Sequence, residues 1–157
     1  MHFTFRTACL LALFYIIAGC SNIKPFPSTA DKNLQVRTKV SGSFFTGVKA
    51  VLQIHNLKGG CVDEYLGTVD LKNGLSEVGV APGQSVFLAF LFNTSALGGG
   101  GATVPYTTIF TPRSGTRYIA DVSYADSIYN VSIHEAVPRG MLGRELERNV
   151  VDCPKTD

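Results

Sequence analysis

The chain has 157 residues, of which 45% are hydrophobic and 17% are charged, and its formal net charge is +2. This length fits one ordinary domain, and the apolar fraction is large enough for a core, which argues against intrinsic disorder. The nearly balanced charge offers no basic stripe that could neutralise phosphates, so we expect no nucleic-acid partner.

Residues 1–19 have the parts of an export signal. A short start carrying Arg6 and no acidic residue precedes an apolar stretch over residues 8–17, and small residues follow it. A membrane-spanning helix needs about 20 apolar residues. The shorter stretch therefore predicts a signal peptide that delivers the chain to the secretion machinery.

The end of this segment, Ile17-Ala18-Gly19-Cys20, resembles the lipobox of bacterial lipoproteins. The resemblance implies that the signal is cut before Cys20 and that the Cys20 thiol carries a diacylglycerol. Several acyl chains hold a protein on a bilayer far more firmly than one chain does. Ser21 in place of Asp implies the periplasmic face of the outer membrane rather than the inner membrane. The alternative is a secreted protein in which Cys20 is a disulfide partner.

Cysteine usage agrees with export. Removal of residues 1–19 deletes Cys9 and lipidation uses Cys20, so Cys61 and Cys153 remain as free thiols. Two thiols in an oxidising compartment predict one disulfide. Neither Cys has the CxxC spacing that indicates zinc binding or redox chemistry.

The region after Cys20 divides into two parts. Residues 20–33 are polar, contain prolines and lack periodicity, which predicts a lipidated N-terminus and a flexible tether reaching on the order of 20 Å. Residues 34–157 alternate apolar and polar side chains between turn signals, which predicts one mainly β domain: a single antiparallel β-sandwich, immunoglobulin-like or transthyretin-like. The predicted strands, about eight in number, are 34–40, 48–57, 65–71, 75–80, 85–93, 102–111, 116–124 and 128–137.

Two segments depart from this alternation. Residues 140–150 place apolar side chains close to one helical stripe, which predicts a short C-terminal helix. Residues 86–92 are apolar on both faces of a strand, so a second layer is required. Either the C-terminal helix or a barrel-like closure covers this strand, or a partner protein or the membrane does. The helical stripe consists of Met141, Leu142, Leu146 and Val150.

Motifs for catalysis or metal binding are incomplete. The glycine run at residues 98–101 leads into a strand without a following Gly-Lys-Ser/Thr, which favours a hairpin loop over a phosphate loop. His134 and Glu135 begin like a zinc-protease motif, but a proline stands where the second His should be. Asp63 and Glu64 point to opposite faces of an extended backbone. We therefore expect no enzymatic activity, no cofactor and no metal.

Residues 110–118 are the most suggestive stretch of the domain. A turn containing proline and glycine lies between two aromatic residues, which indicates a closed hairpin and is similar to segments in small Gram-negative β-sandwich lipoproteins of unknown role. The stretch from Ser114 through Arg117 to Tyr118 also resembles the loop of periplasmic lysozyme inhibitors, which insert a Ser and a Lys into the lysozyme cleft. The downstream Thr-Lys-Gly of that family is absent. Ser114, Arg117 and Tyr118 are the candidate interaction residues.

These observations predict a lipid-anchored envelope lipoprotein that acts as a non-catalytic binding or structural module. Its partners are then the membrane, through the N-terminal lipid, and a second envelope protein. The alternatives are a periplasmic lysozyme-inhibitor-like protein and an accessory subunit of an envelope or secretion complex. The secretion alternative depends on fold analogy alone.

Overall fold

The computed structural model describes residues 23–42, 46–96, 99–137, 142–151 and 153. These residues form β-strands and no helix, and each of the eight predicted strands is present. The predicted signal peptide at residues 1–19 and the lipid-attachment residue Cys20 lie outside the described residues. The strands are β1 (Leu34–Val40), β2 (Thr46–Lys58), β3 (Cys61–Leu71), β4 (Gly74–Val78), β5 (Val86–Ala96), β6 (Gly101–Phe110), β7 (Tyr118–Ala125), β8 (Ile128–Ala136) and β9 (Leu142–Glu145).

The strands form two sheets that pack face to face as a sandwich. One has five strands in the order β4-β1-β7-β8-β9, and the other has four in the order β3-β2-β5-β6. Neighbouring strands are antiparallel except β1 and β7, which run parallel. Aromatic pairs join the sheets: the ring centroids of Phe92 and Tyr124 are 6.4 Å apart, and those of Phe110 and Tyr118 are 5.0 Å apart. The predicted sandwich is confirmed, and it is not closed into a barrel, but the prediction that it is purely antiparallel is wrong, because β1 pairs in parallel with β7.

The core follows from the alternation in the sequence. In β1, Leu34, Val36 and Thr38 face inward and are buried, whereas Arg37 is exposed. Inward-facing side chains of both sheets fill the space between them, as strand geometry requires. The largest side chains that are fully buried include Phe90, Phe92, Leu52, Ile54, Leu88 and Val122.

The predicted C-terminal helix at residues 140–150 is wrong over residues 142–150, and residues 140–141 lie outside the described residues. Leu142–Glu145 is strand β9, which pairs with the edge of β8, and residues 146–151 continue without helical structure. Leu146 packs against the core, but Val150 is 64% exposed. A short segment interrupted by glycine gains little from local helical hydrogen bonds. The unpaired backbone groups of β8 provide the alternative partner.

Both open sides of the sandwich are closed by terminal segments. The predicted flexible tether at residues 20–33 is bound to the body from Lys24 onward, where Thr68 of β3 donates a hydrogen bond to the Lys24 carbonyl oxygen at 2.8 Å. On the opposite side, the chain after β9 bonds to β8 and then to β6, where the Ile109 N–H donates to the Asn149 carbonyl oxygen at 3.0 Å. Terminal segments thereby cover strand edges that would otherwise pair with another chain.

The predicted disulfide is confirmed as a pair. The sulfur atoms of Cys61 and Cys153 lie at bonding distance, and their Cα atoms are 5.3 Å apart. Cys61 begins β3, at one edge of the four-stranded sheet, whereas Asn149 lies beside β6 at the other edge. The C-terminal segment therefore passes β6 at one edge of this sheet, and the disulfide links it to β3 at the opposite edge.

Candidate functional site

The connection between β6 and β7 is a compact loop over residues 111–117. The Phe110 and Tyr118 rings pack edge to face, with their planes at 88°, and this pair closes the base of the loop. Thr116 donates a backbone hydrogen bond to the Arg113 carbonyl oxygen at 3.2 Å, which closes the turn. Gly115 has φ of 73°, a conformation in which a Cβ is unfavourable. The predicted turn is thus present, but the predicted hairpin is wrong, because β6 belongs to the four-stranded sheet and β7 to the five-stranded sheet.

Three contacts with neighbouring parts of the fold hold this loop in place. The backbone N–H of Arg113 donates to the Tyr118 hydroxyl oxygen at 3.0 Å. The N–H of Gly83, in the β4–β5 connection, donates to the Pro112 carbonyl oxygen at 2.8 Å. The Arg113 guanidinium forms an ion pair with Glu135 on β8. Contacts to β7 and β8 of the five-stranded sheet and to the β4–β5 connection therefore hold the loop backbone.

The braced loop presents two of the predicted interaction residues to solvent. The side chains of Ser114 and Arg117 are exposed. They line a groove of about 640 Å³ whose opposite wall is residues 30–33, together with Glu77 and Pro82. Among the described residues, Arg117 forms no ion pair, so its guanidinium is available to an external acceptor.

Tyr118 is not part of this surface. Only 2% of the residue is exposed, and it packs in the core. Its position as the first residue of β7 turns the side chain inward, where its hydroxyl supports the loop. The prediction of Tyr118 as a contact residue is therefore corrected to a supporting role.

The wall opposite the loop depends on residues that the sequence did not identify. Asn33 is buried, and its side chain bonds to both backbone groups of Val80: Nδ2 donates to the Val80 carbonyl oxygen at 2.7 Å, and Oδ1 accepts from the Val80 N–H at 3.1 Å. The Tyr118 N–H donates to the Asn33 carbonyl oxygen at 2.8 Å. At the rim, Lys32 and Glu77 form an exposed ion pair at 3.2 Å. The only sequence signal for Asn33 is its place directly before β1, which is weak.

A second groove, of about 590 Å³, lies on the outer face of the four-stranded sheet. It is lined by Val51 of β2, Leu91 of β5 and Thr103 of β6, with Ile23 at its margin. This face includes the second side of the doubly apolar strand 86–92. In the described residues no helix covers this face, so the prediction that the C-terminal helix covers it is wrong. Phe87 and Leu91 are half-buried by their neighbours on the sheet.

His55 lies on this outer face. The imidazole ring of His55 is 5.3 Å from the Tyr65 ring and 5.9 Å from the Phe87 ring, measured between centroids. Burial among these rings lowers the pKa of His55 below its usual value of 6.5. His55 is therefore held in its neutral form more firmly than a free histidine.

The remaining motifs are placed apart from both grooves or on strands. His134 and Glu135 lie on β8, and Asp63 and Glu64 are exposed on β3. Within the described ranges, His, Cys, Asp and Glu form no group of three or more able to hold a metal ion. The glycine run joins β5 to its antiparallel neighbour β6, which confirms the hairpin, although Gly98 lies outside the described residues. In the same ranges no helix is long and apolar enough to cross a membrane.

Comparison with known proteins gave no relative. No protein-family model matches the chain, and neither the curated proteins nor the solved structures contain a significant match. The class of the protein is therefore defined by its own features, a two-sheet sandwich with a braced, exposed loop beside a groove.

Proposed function

We propose that this chain is a lipid-anchored module of the bacterial envelope that binds a second envelope protein through the loop carrying Ser114 and Arg117. The observation that carries the binding role is that the five-stranded sheet and the β4–β5 connection hold the backbone of this loop, which leaves two polar side chains exposed on a held backbone. A loop held by a rigid scaffold loses little conformational entropy when it binds. The role is that of a binding or structural module, without catalysis.

The anchor is proposed at Cys20. Its support is the sequence Ile17-Ala18-Gly19-Cys20 after an export signal, and Ser21 supports the periplasmic face of the outer membrane. Mass spectrometry of the mature N-terminal peptide tests this part. A diacylglyceryl mass on Cys20, absent from a Cys20→Ser variant, is expected. An unmodified or uncut N-terminus would overturn the anchor without affecting the loop.

The strand order supports a transthyretin-like rather than an immunoglobulin-like connectivity. In immunoglobulin constant-type domains the first, second, fourth and fifth strands share one sheet. In this chain β1 and β4 lie in one sheet, and β2 and β5 lie in the other. The same architecture is compatible with an accessory subunit of an envelope or secretion complex, as one form of the proposed partner binding.

The partner-binding proposal is tested by a photoreactive amino acid placed at Ser114 in the full chain, crosslinked in its own envelope. We expect one discrete adduct, reduced at least severalfold by Arg117→Glu because the guanidinium supplies charge-assisted hydrogen bonds. Arg37→Glu is the matched control, since Arg37 is an exposed cation on β1, away from the loop. An adduct equally strong in both charge variants, or no adduct, would contradict the loop as the binding element.

A second candidate, inhibition of a lysozyme, is favoured by the exposure of Ser114 and Arg117 on one loop. The Cys20→Ser protein, purified in detergent, is titrated against purified lysozymes of different classes. Inhibition that is lost in Ser114→Trp and Arg117→Glu, and retained in Arg37→Glu, would establish this function. Full lysozyme activity at excess protein would exclude it for the enzymes assayed.

A further inference from the structure

The segment before β1 is fastened along the edge of the four-stranded sheet. Pro25 pairs with Thr68 of β3 as an isolated parallel bridge. The Thr68 N–H donates to the Lys24 carbonyl oxygen at 2.8 Å, and the Phe26 N–H donates to the Thr68 carbonyl oxygen at 3.0 Å. Phe26 also packs against the core. The chain is therefore held from Lys24 onward.

Gly67 and Gly79 leave the space in which this segment lies, and these two glycines are called its seat. A Cβ on Gly67 would lie 2.5 Å from the Phe26 Cα atom, and Gly67 has φ of 154°. A Cβ on Gly79 would overlap the carbonyl oxygen of Ala30. Real Cβ atoms do not approach other atoms so closely, so both positions require glycine for the segment to lie where it does. The segment is part of the folded domain and not a free leash.

The seat restricts the distance between the domain and a lipid on Cys20. Cys20 precedes Lys24 by four positions, and four extended residues reach at most about 14 Å. The headgroup layer of one leaflet is about 5–7 Å thick. If acyl chains on Cys20 lie in the hydrocarbon, Lys24 lies within or just above the headgroups.

The surface next to this attachment point is the outer face of the four-stranded sheet. Ile23, directly before the seat, is 58% exposed and lines the 590 Å³ groove with Val51 and Leu91. The groove lined by Ser114 and Arg117 lies at the far end of this segment. There the segment has reached the five-stranded sheet, and Asn33 is bonded to Val80. The two grooves are thereby placed differently with respect to the anchor.

We propose that the outer face of the β3-β2-β5-β6 sheet faces the lipid headgroups, and that the seat on Gly67 and Gly79 sets this orientation. The partner of this face is the lipid surface itself. The loop carrying Ser114 and Arg117 is then left accessible from the periplasmic side. This inference depends on the lipid anchor proposed above.

Fluorescence quenching distinguishes the two faces of the sandwich, because the chain contains no Trp. Thr103 is exposed on β6 in the outer groove, and Leu75 is 58% exposed on β4 of the other sheet. Lipidated full-length Thr103→Trp and Leu75→Trp proteins are placed in phosphatidylethanolamine–phosphatidylglycerol vesicles that contain a lipid with a nitroxide on its headgroup. We expect Thr103→Trp to lose on the order of half its emission and Leu75→Trp to lose little, since the quencher lies in the headgroup layer.

Vesicle flotation separates the failure of the orientation from the failure of the anchor. Protein that floats but shows equal quenching at both probes, or stronger quenching at Leu75→Trp, would overturn the orientation and leave the anchor intact. Protein that does not float would overturn both proposals. Cys20→Ser versions of both probes give the background quenching.

Release of the seat tests its role. Gly67→Ala in the Thr103→Trp protein displaces residues 24–26 from Thr68, while Ser28 stays bonded to Gly79, so the free chain after Cys20 lengthens from four to eight positions, and we expect the quenching to fall toward the Leu75→Trp level while flotation persists. Gly47→Ala is the control, because its Cβ would meet only the Ser95 side-chain oxygen. If Gly67→Ala does not fold, a Gly-Ser linker of about ten residues inserted after Asn22 adds about 16–19 Å of reach. Unchanged quenching in the folded variants would overturn the role of the seat.

Discussion

The Tyr118 hydroxyl oxygen accepts a hydrogen bond from the backbone N–H of Arg113 at 3.0 Å. This contact joins the core to the exposed loop, because Tyr118 is buried and Arg113 lies next to Ser114. The arrangement of the loop thus depends on a buried side chain.

Removal of that hydroxyl should loosen the loop without unfolding the domain. We expect Tyr118→Phe to lower the free energy of unfolding by about 0.5–1.5 kcal/mol, the usual net value of one hydrogen bond. Amide hydrogen exchange should accelerate at Arg113. Tyr129→Phe is the control, since Tyr129 is 43% exposed. Unchanged exchange at Arg113 would show that the other contacts alone hold the loop.

The side chains of Asn33 and Asn73 make the same pair of bonds in different surroundings. Asn33 bonds to both backbone groups of Val80 in a buried site, and Asn73 bonds to both groups of Val40 at an exposed site. We expect Asn33→Ala to cost about 2–4 kcal/mol, because two backbone groups are left buried and unpaired. Asn73→Ala should cost under about 1 kcal/mol, since water replaces the amide. Equal costs in urea unfolding would contradict this account.

The disulfide should contribute mainly by restricting the unfolded chain. Cys61 and Cys153 are separated by 92 positions, for which loop-closure entropy gives roughly 4–5 kcal/mol. We expect the free energy of unfolding of a Cys61→Ser/Cys153→Ser variant to be lower by that amount, so the variant unfolds at a lower urea concentration. Reductant should shift the parent protein to the same midpoint and leave the variant unchanged. A reductant effect on the variant would point to another cause.

His55 should make the fold sensitive to acid. Because burial lowers the pKa of His55 in the folded state below 6.5, the unfolded chain binds the proton more tightly. The stability that neutral His55 contributes is present above about pH 6.5 and is lost as the pH falls through the folded-state pKa. NMR titration of the imidazole measures this pKa, and His55→Gln should flatten the stability profile in that range. A pKa of His55 at or above 6.5 would refute the prediction.

Strand positions were predictable because the alternation of apolar and polar residues is a local property of a strand with one buried face. The prediction for residues 34–40 agrees with β1 at both ends. The C-terminal segment shows the limit of such patterns. A stripe of four apolar residues fits a helix, yet the segment pairs with the edge of β8 instead. The sequence could not show this pairing, because the edge of β8 comes near the segment only in the folded chain.

The candidate site was predictable in part for the same reason. Turn-forming residues between two aromatics indicated the loop, and Ser114 and Arg117 are exposed as a contact site requires. The inward direction of Tyr118 was missed, because a pattern of residues does not say which face of a strand meets the opposite sheet. Asn33 was missed because its partner, Val80, is 47 positions away.

The sequence alone indicated the eight main strands to within about four residues at each end, the turns between them and the pairing of Cys61 with Cys153. Each of these follows from local alternation, from residues that favour turns, or from a count. Only the tertiary structure decided that β1 lies between β4 and β7, that the terminal segments cover the edges of the sandwich, and that Gly67 and Gly79 seat the chain before β1. These features arise from close contacts between distant parts of the chain, and such contacts leave no periodic signal in the sequence.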